Sequence, residues 1–254
     1  MKKKLLLLSS LILSGLSFTQ IYSEDFESYA AGSYICVQNP TYWGTWTAGQ
    51  QGGAQDVMIN TTQASSGANS LYLQSTAANG GPQDIILKFG QLYNSGVFTL
   101  ESDFYVNSGK NAYFNFQGSQ TIGQIWALNV NMDGGTITID DGTTSNLATG
   151  TYTPATWFTF KIEANLTLQT WKAFVNGVQI GQWQNGINAV ASMNLYPIQN
   201  SQYYIDNISF DHQTYTLQTL NAMASSIAMG GSIAGQTVNP TVVVKNAGVN
   251  QINS

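Results

Sequence analysis

Apolar and polar side chains alternate along short stretches of this chain, a pattern typical of β-strands with one buried face. Between residues 97 and 106, one face collects Phe98, Leu100, Phe104 and Val106. The opposite face of that stretch carries Glu101, Asp103 and Tyr105. Residues 157–164 repeat the scheme, and Asn176-Gly177 predicts a hairpin because both turn residues must tolerate positive φ. No stretch keeps a helical period, so we expect an all-β fold of about ten to twelve strands in a two-sheet antiparallel jelly-roll sandwich.

The sandwich pattern covers residues 21–213, and both ends of the chain differ from it. Residues 1–20 have the composition of an export signal peptide, with three lysines before an apolar run. Residues 214–235 are rich in Ala, Ser, Met and Gly and are predicted to be a linker. Residues 236–254 begin a further strand that is too short to close a second core. We therefore expect a short incomplete β segment at the C-terminus, the start of a truncated module.

Composition narrows the choice of partner and location. All eight basic residues are lysines, and without residues 1–20 the chain keeps five lysines against thirteen carboxylates, a formal charge of −8. Such a surface disfavours nucleic acid, and the lack of arginine disfavours recognition of sugar acids and sulfates. No stretch reaches the ~18 to 20 apolar residues of a membrane span. We expect a secreted or cell-surface protein without membrane insertion.

Three more stretches, 112–117, 125–132 and 135–140, alternate in the same way. If they lie beside residues 97–106, one sheet presents to solvent Asp103, Tyr105, Tyr113, Asn115, Gln117, Asn129, Asn131 and Asp140. Amides and carboxylates bind sugar hydroxyls, and tyrosine stacks on a pyranose face. These eight residues are the predicted ligand-binding set. A merely solvated sheet face, common in secreted sandwiches, is the alternative.

The tryptophans divide between two expected roles. Tyr42, Trp43 and Trp46 lie in a Gly- and Gln-rich loop, and we expect them to cap one end of the core more than to bind a ligand. Trp126 is expected to be a core residue because its strand neighbours are apolar.

Three stretches resemble the concanavalin A-like lectin and glucanase superfamily, which includes laminin-G-like domains. They are residues 24–29 (Glu-Asp-Phe-Glu-Ser-Tyr), the hairpin 157–177, and the closing strand 203–210 (Tyr-Tyr-Ile-Asp-Asn-Ile-Ser-Phe). The resemblance spans about residues 21–212 and implies a jelly roll whose partner is a glycan or cell-surface polysaccharide. Residues 236–248 separately resemble the start of immunoglobulin-like adhesion repeats of bacterial surface proteins, which implies further domains of the same polypeptide.

A structural calcium site is a second implication of the resemblance. The two-residue period points Asp206 the same way as core side chains, and a buried carboxylate is costly unless it is paired or hydrogen-bonded. In similar jelly rolls, calcium lies between the first and last strands, which implies Glu27 and Asp206 as ligands, with Glu24 and Asp25 in reserve. Hydrogen bonding of Asp206 to backbone amides, without a metal, stays open as the alternative.

Three functions are compatible with the sequence. A non-catalytic carbohydrate-binding or adhesion module is preferred, and no catalytic residue is assigned. A laminarinase-like glycosidase would use Glu101 and Asp103, but Tyr105 and Val106 stand where the resemblance implies a third carboxylate. The third possibility is a structural accessory domain of a larger surface protein. The single histidine, His212, excludes triad and zinc chemistry.

Overall fold

The computed structural model describes residues 21–215, 222–228 and 241–246, so the predicted signal peptide lies outside the described residues. Strands dominate, and the one helix among these residues, α1 (Ile35–Gln38), is a single turn. The strands before residue 120 are β1 (Tyr22–Glu24), β2 (Trp43–Thr45), β3 (Ile59–Asn60), β4 (Ser70–Gln74), β5 (Ile85–Tyr93), β6 (Val97–Val106) and β7 (Asn111–Gln117). The later strands of the sandwich are β8 (Trp126–Asp133), β9 (Thr136–Asp140), β10 (Ala148–Thr151), β11 (Phe158–Asn165), β12 (Thr170–Val175), β13 (Val178–Gln184), β14 (Val190–Leu195) and β15 (Gln202–Gln213). The predicted all-β class is confirmed, and no described helix has the length and hydrophobicity that crossing a membrane requires.

Two antiparallel sheets form the sandwich. Sheet I has the order β13-β12-β11-β6-β15-β4-β3, with β1 also paired to β15. Sheet II has the order β10-β9-β8-β7-β14-β5-β2. The described residues hold more strands than the sequence predicts, because strands as short as β2 and β3, of three and two residues, show no alternation to recognise.

Aromatic side chains of the two sheets meet in the core. Phe104 of β6 stacks on Phe114 of β7 with ring centroids 5.2 Å apart, and Phe89 of β5 lies 4.7 Å from Phe98 of β6. Each of these rings is almost fully buried, which stabilises the sandwich by roughly 1.5–3 kcal/mol per side chain. Successive side chains of a strand point to opposite faces of the sheet. Because Phe114 and Phe116 of β7 point into the core, Tyr113, Asn115 and Gln117 lie on the outer face of sheet II.

The turn predicted at Asn176-Gly177 joins β12 to β13. Both residues have positive φ, 48° and 76°. The hairpin prediction is therefore confirmed at the level of backbone conformation.

A short two-stranded ladder lies C-terminal to the sandwich. Strand β16 (Ala222–Ala228) pairs with β17 (Thr241–Asn246). Strand β16 falls inside the segment predicted as a linker, so pairing begins before residue 236. The boundaries of the linker and of the C-terminal module stay predictions.

The predicted position of β6 is wrong. This strand pairs with β11 and β15 in sheet I, whereas β7, β8 and β9 are neighbours in sheet II. Asp103 and Tyr105 therefore lie on the outer face of sheet I, across the core from the other six predicted residues. The chain crosses from one sheet to the other between β6 and β7, and alternation cannot reveal this because a half-buried strand has the same pattern in either sheet.

Candidate functional site

The outer face of sheet II brings together six of the predicted ligand-binding side chains. Strand β7 supplies Tyr113, Asn115 and Gln117, strand β8 supplies Asn129 and Asn131, and β9 supplies Asp140. The strand register places Asn115 between Asn129 on one side and Asn194 of β14 on the other. Asn129 in turn lies opposite Asp140. A band of polar side chains thus runs across neighbouring strands.

Two members of this band are covered. The exposed fraction of Asn115 is 2% and that of Gln117 is 0%, so the prediction that both face solvent is wrong. Both point away from the core, but residues 118–125 fold back on Gln117, and the backbone N–H of Gly123 donates to Gln117 Oε1 at 3.0 Å. Asn115 lies between the side chains of Gln117 and Asn194 and is hydrogen-bonded to both. The indole of Trp46 packs against Gly123 from the far edge of the sheet. Contacts above the sheet, not a reversed strand face, explain the burial.

Beneath this cover, three amide side chains form a hydrogen-bonded row that we call the amide row: Gln117, Asn115 and Asn194. Gln117 Nε2 donates to Asn115 Oδ1, and Asn115 Nδ2 donates to Asn194 Oδ1 at 2.9 Å. Asn194 Nδ2 donates to Asp84 Oδ1 at 2.7 Å. Burial raises the pKa of Asp84 to about 6, although the hydrogen bond from Asn194 opposes the shift. The row therefore leads from the covering loop to a carboxylate that is partly removed from water.

A cavity of about 250 Å³ opens beside the amide row, and we call it the tryptophan cavity. Its lining consists of Trp46, Asp84, Tyr113, Asn115, Trp126, Asn194 and Tyr196. Trp46 follows edge strand β2 and Trp126 begins β8, with three strands between them in the sheet, yet their ring centroids are 6.2 Å apart at an interplanar angle of 34°. The two indoles meet above the sheet and give the cavity an aromatic wall. Trp126 is 40% exposed, which leaves part of that wall open to a ligand.

A second hydrogen-bonded chain holds Tyr113 in the lining. Its hydroxyl donates to Asn129 Oδ1 at 2.7 Å, and Asn129 Nδ2 donates to Asp140 Oδ1 at 2.7 Å. Burial raises the pKa of the Tyr113 phenol to about 12. Asn129 and Asp140 thus orient Tyr113 from outside the cavity, and Asn131 lies beside Tyr113 without lining the cavity.

The structure corrects the roles predicted for the tryptophans. The prediction of Trp126 as a core residue is wrong, because the register shifts between Phe116 and Gln117 and places Trp126 opposite the outward-facing Gln117. Trp43 is fully buried, as expected of a capping residue, whereas Trp46 is half-buried and lines the cavity. Sequence patterns also missed Asp84, Asn194 and Tyr196, which lie at or just beyond strand ends where alternation gives no signal.

The predicted residues on sheet I take part in internal contacts. Asp103 accepts hydrogen bonds from the hydroxyls of Thr159 (2.6 Å) and Ser65 (2.7 Å) and from the amide of Asn207 (2.9 Å). The ring of Tyr105 packs 5.6 Å from that of Trp157. Glu101 is exposed on the same outer face. Neither Glu101 nor Asp103 reaches the tryptophan cavity, so the structure separates the two carboxylates of the glycosidase alternative from this site.

Glu27 and Asp206 both hold the loop that precedes β4. Glu27 Oε1 accepts the backbone N–H groups of Ala68 and Asn69 at 2.9 and 2.7 Å. Asp206 Oδ2 accepts those of Ser65 and Ser66 at 2.7 and 3.1 Å. Burial raises the pKa of Asp206, while these backbone hydrogen bonds lower it.

The calcium hypothesis for Glu27 and Asp206 stays a prediction. Among the described residues, no three acidic, histidine or cysteine side chains group into a metal site. A calcium ion takes six to eight oxygen ligands, so a calcium ion here would need uncharged oxygens besides the two carboxylates. Backbone amides, the other interpretation that the sequence left open, provide hydrogen bonds to both carboxylates.

Together, the two stacked sheets and the tryptophan cavity define a jelly-roll β-sandwich with a candidate binding site on the outer face of sheet II. No family model and no curated protein match this sequence. Among solved structures, the chain is similar to the cellulose-induced protein Cip1, at 17% identity and a TM-score of 0.53, over 76% of this chain and 98% of that one. It is also similar to the globular domain of T. cruzi calreticulin, at 9% identity and a TM-score of 0.52, over 77% of this chain and 89% of that one.

A third similar structure is a sialidase, at 12% identity and a TM-score of 0.53, over 76% of this chain and 18% of the larger enzyme. At such identities the likeness concerns the fold alone, and it supports the jelly roll that the resemblance to concanavalin A-like domains implies.

Proposed function

We propose that this protein is a carbohydrate-binding module of the cell exterior, and that a sugar residue of its glycan partner binds in the tryptophan cavity. The observation that carries the proposal is the meeting of Trp46 and Trp126 above the amide row. Indole faces stack on the apolar face of a pyranose, and amide groups exchange hydrogen bonds with its hydroxyls. The lining of this cavity contains both kinds of group, the indoles of the two tryptophans and the side-chain amides of Asn115 and Asn194.

The size of the cavity supports a small ligand portion. Its volume of about 250 Å³ is below the ~300–1,000 Å³ typical of pockets that enclose drug-sized molecules. A single sugar residue of a longer chain fits such a space better than an enclosed oligosaccharide does. The fold shared with a protein induced by cellulose is in keeping with this function.

Binding without catalysis is part of the proposal. Among the described residues, Asp84 is the one carboxylate in the lining, whereas glycoside hydrolysis uses a pair of carboxylates. We place the module in a secreted or cell-surface protein, where binding of a cell-surface polysaccharide would serve adhesion or attachment of further domains.

Native gels that contain a soluble polysaccharide, run for a panel of neutral and amino-sugar polysaccharides, test the proposal. Wild-type protein is expected to be retarded by at least one member of the panel. Trp126→Ala removes half of the aromatic wall and should weaken binding by about tenfold or more, as loss of a central tryptophan does at other binding sites. Because Trp126 is 40% exposed, its truncation leaves little core unfilled.

Tyr105→Ala is the matched control, since it removes a half-buried aromatic side chain from sheet I. We expect this variant to be retarded like the wild type. Loss of retardation in Tyr105→Ala with full retention in Trp126→Ala would move the binding site to sheet I and contradict the proposal. Unchanged mobility of the wild type across the panel would contradict glycan binding itself.

A further inference from the structure

Among the described residues, no cationic side chain pairs with the carboxylate in the tryptophan cavity. Asp84 Oδ1 accepts the hydrogen bond from Asn194, and Oδ2 accepts none from the part of the chain that the structure describes. The salt bridge found among these residues joins Lys172 to Glu163, on other strands. Lys88, in the strand β5 that follows Asp84, donates its Nζ to the carbonyl of Pro40 and does not line the cavity. Within the described part of the chain, the charge of Asp84 therefore has no compensating cation at the cavity.

Aromatic side chains share the cavity with this charge. Two indoles and two phenols, those of Trp46, Trp126, Tyr113 and Tyr196, share the lining with Asp84. The negative face of an aromatic ring attracts an ammonium group, most strongly when water is partly excluded. A carboxylate beside several aromatic rings is thus a favourable environment for a cation and an unfavourable one for an anion.

The rest of the molecule strengthens this preference. The chain contains no arginine and carries an excess of carboxylates. A sugar acid or sulfate that entered the cavity would approach Asp84 without a guanidinium to pair with. An uncharged sugar would leave the charge of Asp84 as it is, whereas a protonated amine would neutralise it.

We propose that the tryptophan cavity selects a glycan bearing a protonated amino group, such as an amino sugar, which places its ammonium against Asp84 Oδ2 beside the indole faces. This inference rests on the proposed function and names the substrate class of the same site. The raised pKa of Asp84 accords with it, because burial disfavours a charge that a bound cation would stabilise.

Calorimetric titration of the full chain with three oligosaccharides of equal length tests the inference. The probes are oligomers of glucosamine, of N-acetylglucosamine and of glucose, at a pH just above the pKa of Asp84. Wild-type protein should bind the glucosamine oligomer at least about tenfold more tightly than the other two, and added salt should reduce the difference. Equal affinity for the three oligomers would overturn the charge selection and leave glycan binding in place.

Asp84→Asn keeps an oxygen for the hydrogen bond from Asn194 and removes the charge. This variant should bind the three oligomers within about twofold of one another. The control is Asp133→Asn, which removes an exposed carboxylate from the same sheet face but outside the cavity lining. It should retain the tenfold preference, and an equal loss in Asp133→Asn would assign selectivity to the overall negative field, against the inference. Failure of every oligomer to bind the wild type would overturn both this inference and the proposed function.

Discussion

Asp84 occupies a position that no alternation pattern marks, one residue before β5, and its chemistry follows from where the fold places it. Its side chain sits at the end of the amide row and faces an aromatic cavity. Desolvation raises its pKa to about 6, whereas an unfolded chain holds an aspartate at its ordinary value of 3.8. The carboxyl group of Asp84 therefore stays protonated in the folded protein over a range of pH in which it is ionised in the unfolded chain.

This difference makes stability depend on pH in a defined direction. As pH rises from about 4 to about 6, the unfolded state binds fewer protons at this site than the folded state, so the free energy of unfolding falls. A pKa difference of about two units at ~1.4 kcal/mol per unit sets an upper bound of about 3 kcal/mol, and the partial exposure of Asp84 to solvent reduces the expected loss below that bound. Asp84→Asn should abolish this component. Urea unfolding at a series of pH values gives the measurement, and parallel curves for the two proteins would contradict the assignment.

Sequence analysis found the residues whose side-chain direction follows from local alternation, and it misjudged those whose position depends on strand register or on a loop contact. Tyr113 and Asn115 were found because they alternate with Phe114 and Phe116 in a regular strand. Trp126 was misplaced because a register shift in the β7–β8 pair turns it outward, and no local pattern encodes that shift. The burial of Gln117 depends on a loop folding back over the sheet, which is a tertiary event.

At the scale of single elements, the loop of residues 118–125 supports the aromatic wall of the cavity, because Gly123 packs against Trp46. Gly123 has a φ of 79°, and a Cβ built there would lie 3.0 Å from the Trp46 ring. The loop can approach Trp46 this closely because glycine both adopts the left-handed conformation and lacks a side chain. Element boundaries alone do not show this contact.

Gly123→Ala should weaken sugar binding several-fold, because the added methyl group displaces Trp46 from the wall. Gly32→Ala is the matched control, with a φ of 78° and no atom within 4 Å of the added Cβ. Both variants should lose roughly 1 kcal/mol of stability from the positive φ. Affinity measurements should separate them, and equal affinities of the two variants would show that the Trp46 contact does not shape the site.

The loop before β4 lies between two carboxylates that the sequence marked as calcium ligands. Glu27 and Asp206 bind backbone amides at opposite ends of residues 65–69, and Glu27 Oε2 accepts no hydrogen bond from the described residues. A calcium ion would offset the two negative charges and stabilise the loop by mass action.

We expect millimolar calcium to raise the melting temperature by several degrees and a chelator to reverse the change. Glu27→Gln, which loses one charge and keeps an acceptor for the Ala68 and Asn69 amides, should no longer respond. Glu101→Gln is the control because Glu101 is exposed on sheet I, and it should respond like the wild type. A wild-type melting temperature that calcium and chelator leave unchanged would assign both carboxylates to hydrogen bonding alone.

At the scale of the whole molecule, periodicity predicts the class of fold and the orientation of strands such as β6, β7 and β11 correctly. The assignment of strands to sheets is different, because it depends on pairings between residues far apart in sequence, as when β6 pairs with β15. Because β6 pairs with β15 in sheet I, Asp103 and Tyr105 lie on a different sheet from the other six candidates. The candidate site was therefore predicted in part, on the strands that happen to be neighbours.

The sandwich is expected to fold without the residues that follow β15. Its core consists of side chains between residues 22 and 210. A version of the protein that ends at Gln213 should melt cooperatively within a few degrees of the full chain. A markedly lower melting temperature would show that the C-terminal residues contribute to the sandwich.

A crystal structure of the protein with the oligosaccharide that it binds most tightly tests most directly whether sheet II carries the binding site. We predict a sugar ring stacked on Trp126 and within hydrogen-bonding distance of Asn115 or Asp84. A sugar ring bound instead against Tyr105 on sheet I, with the tryptophan cavity holding only solvent, would contradict the proposed site.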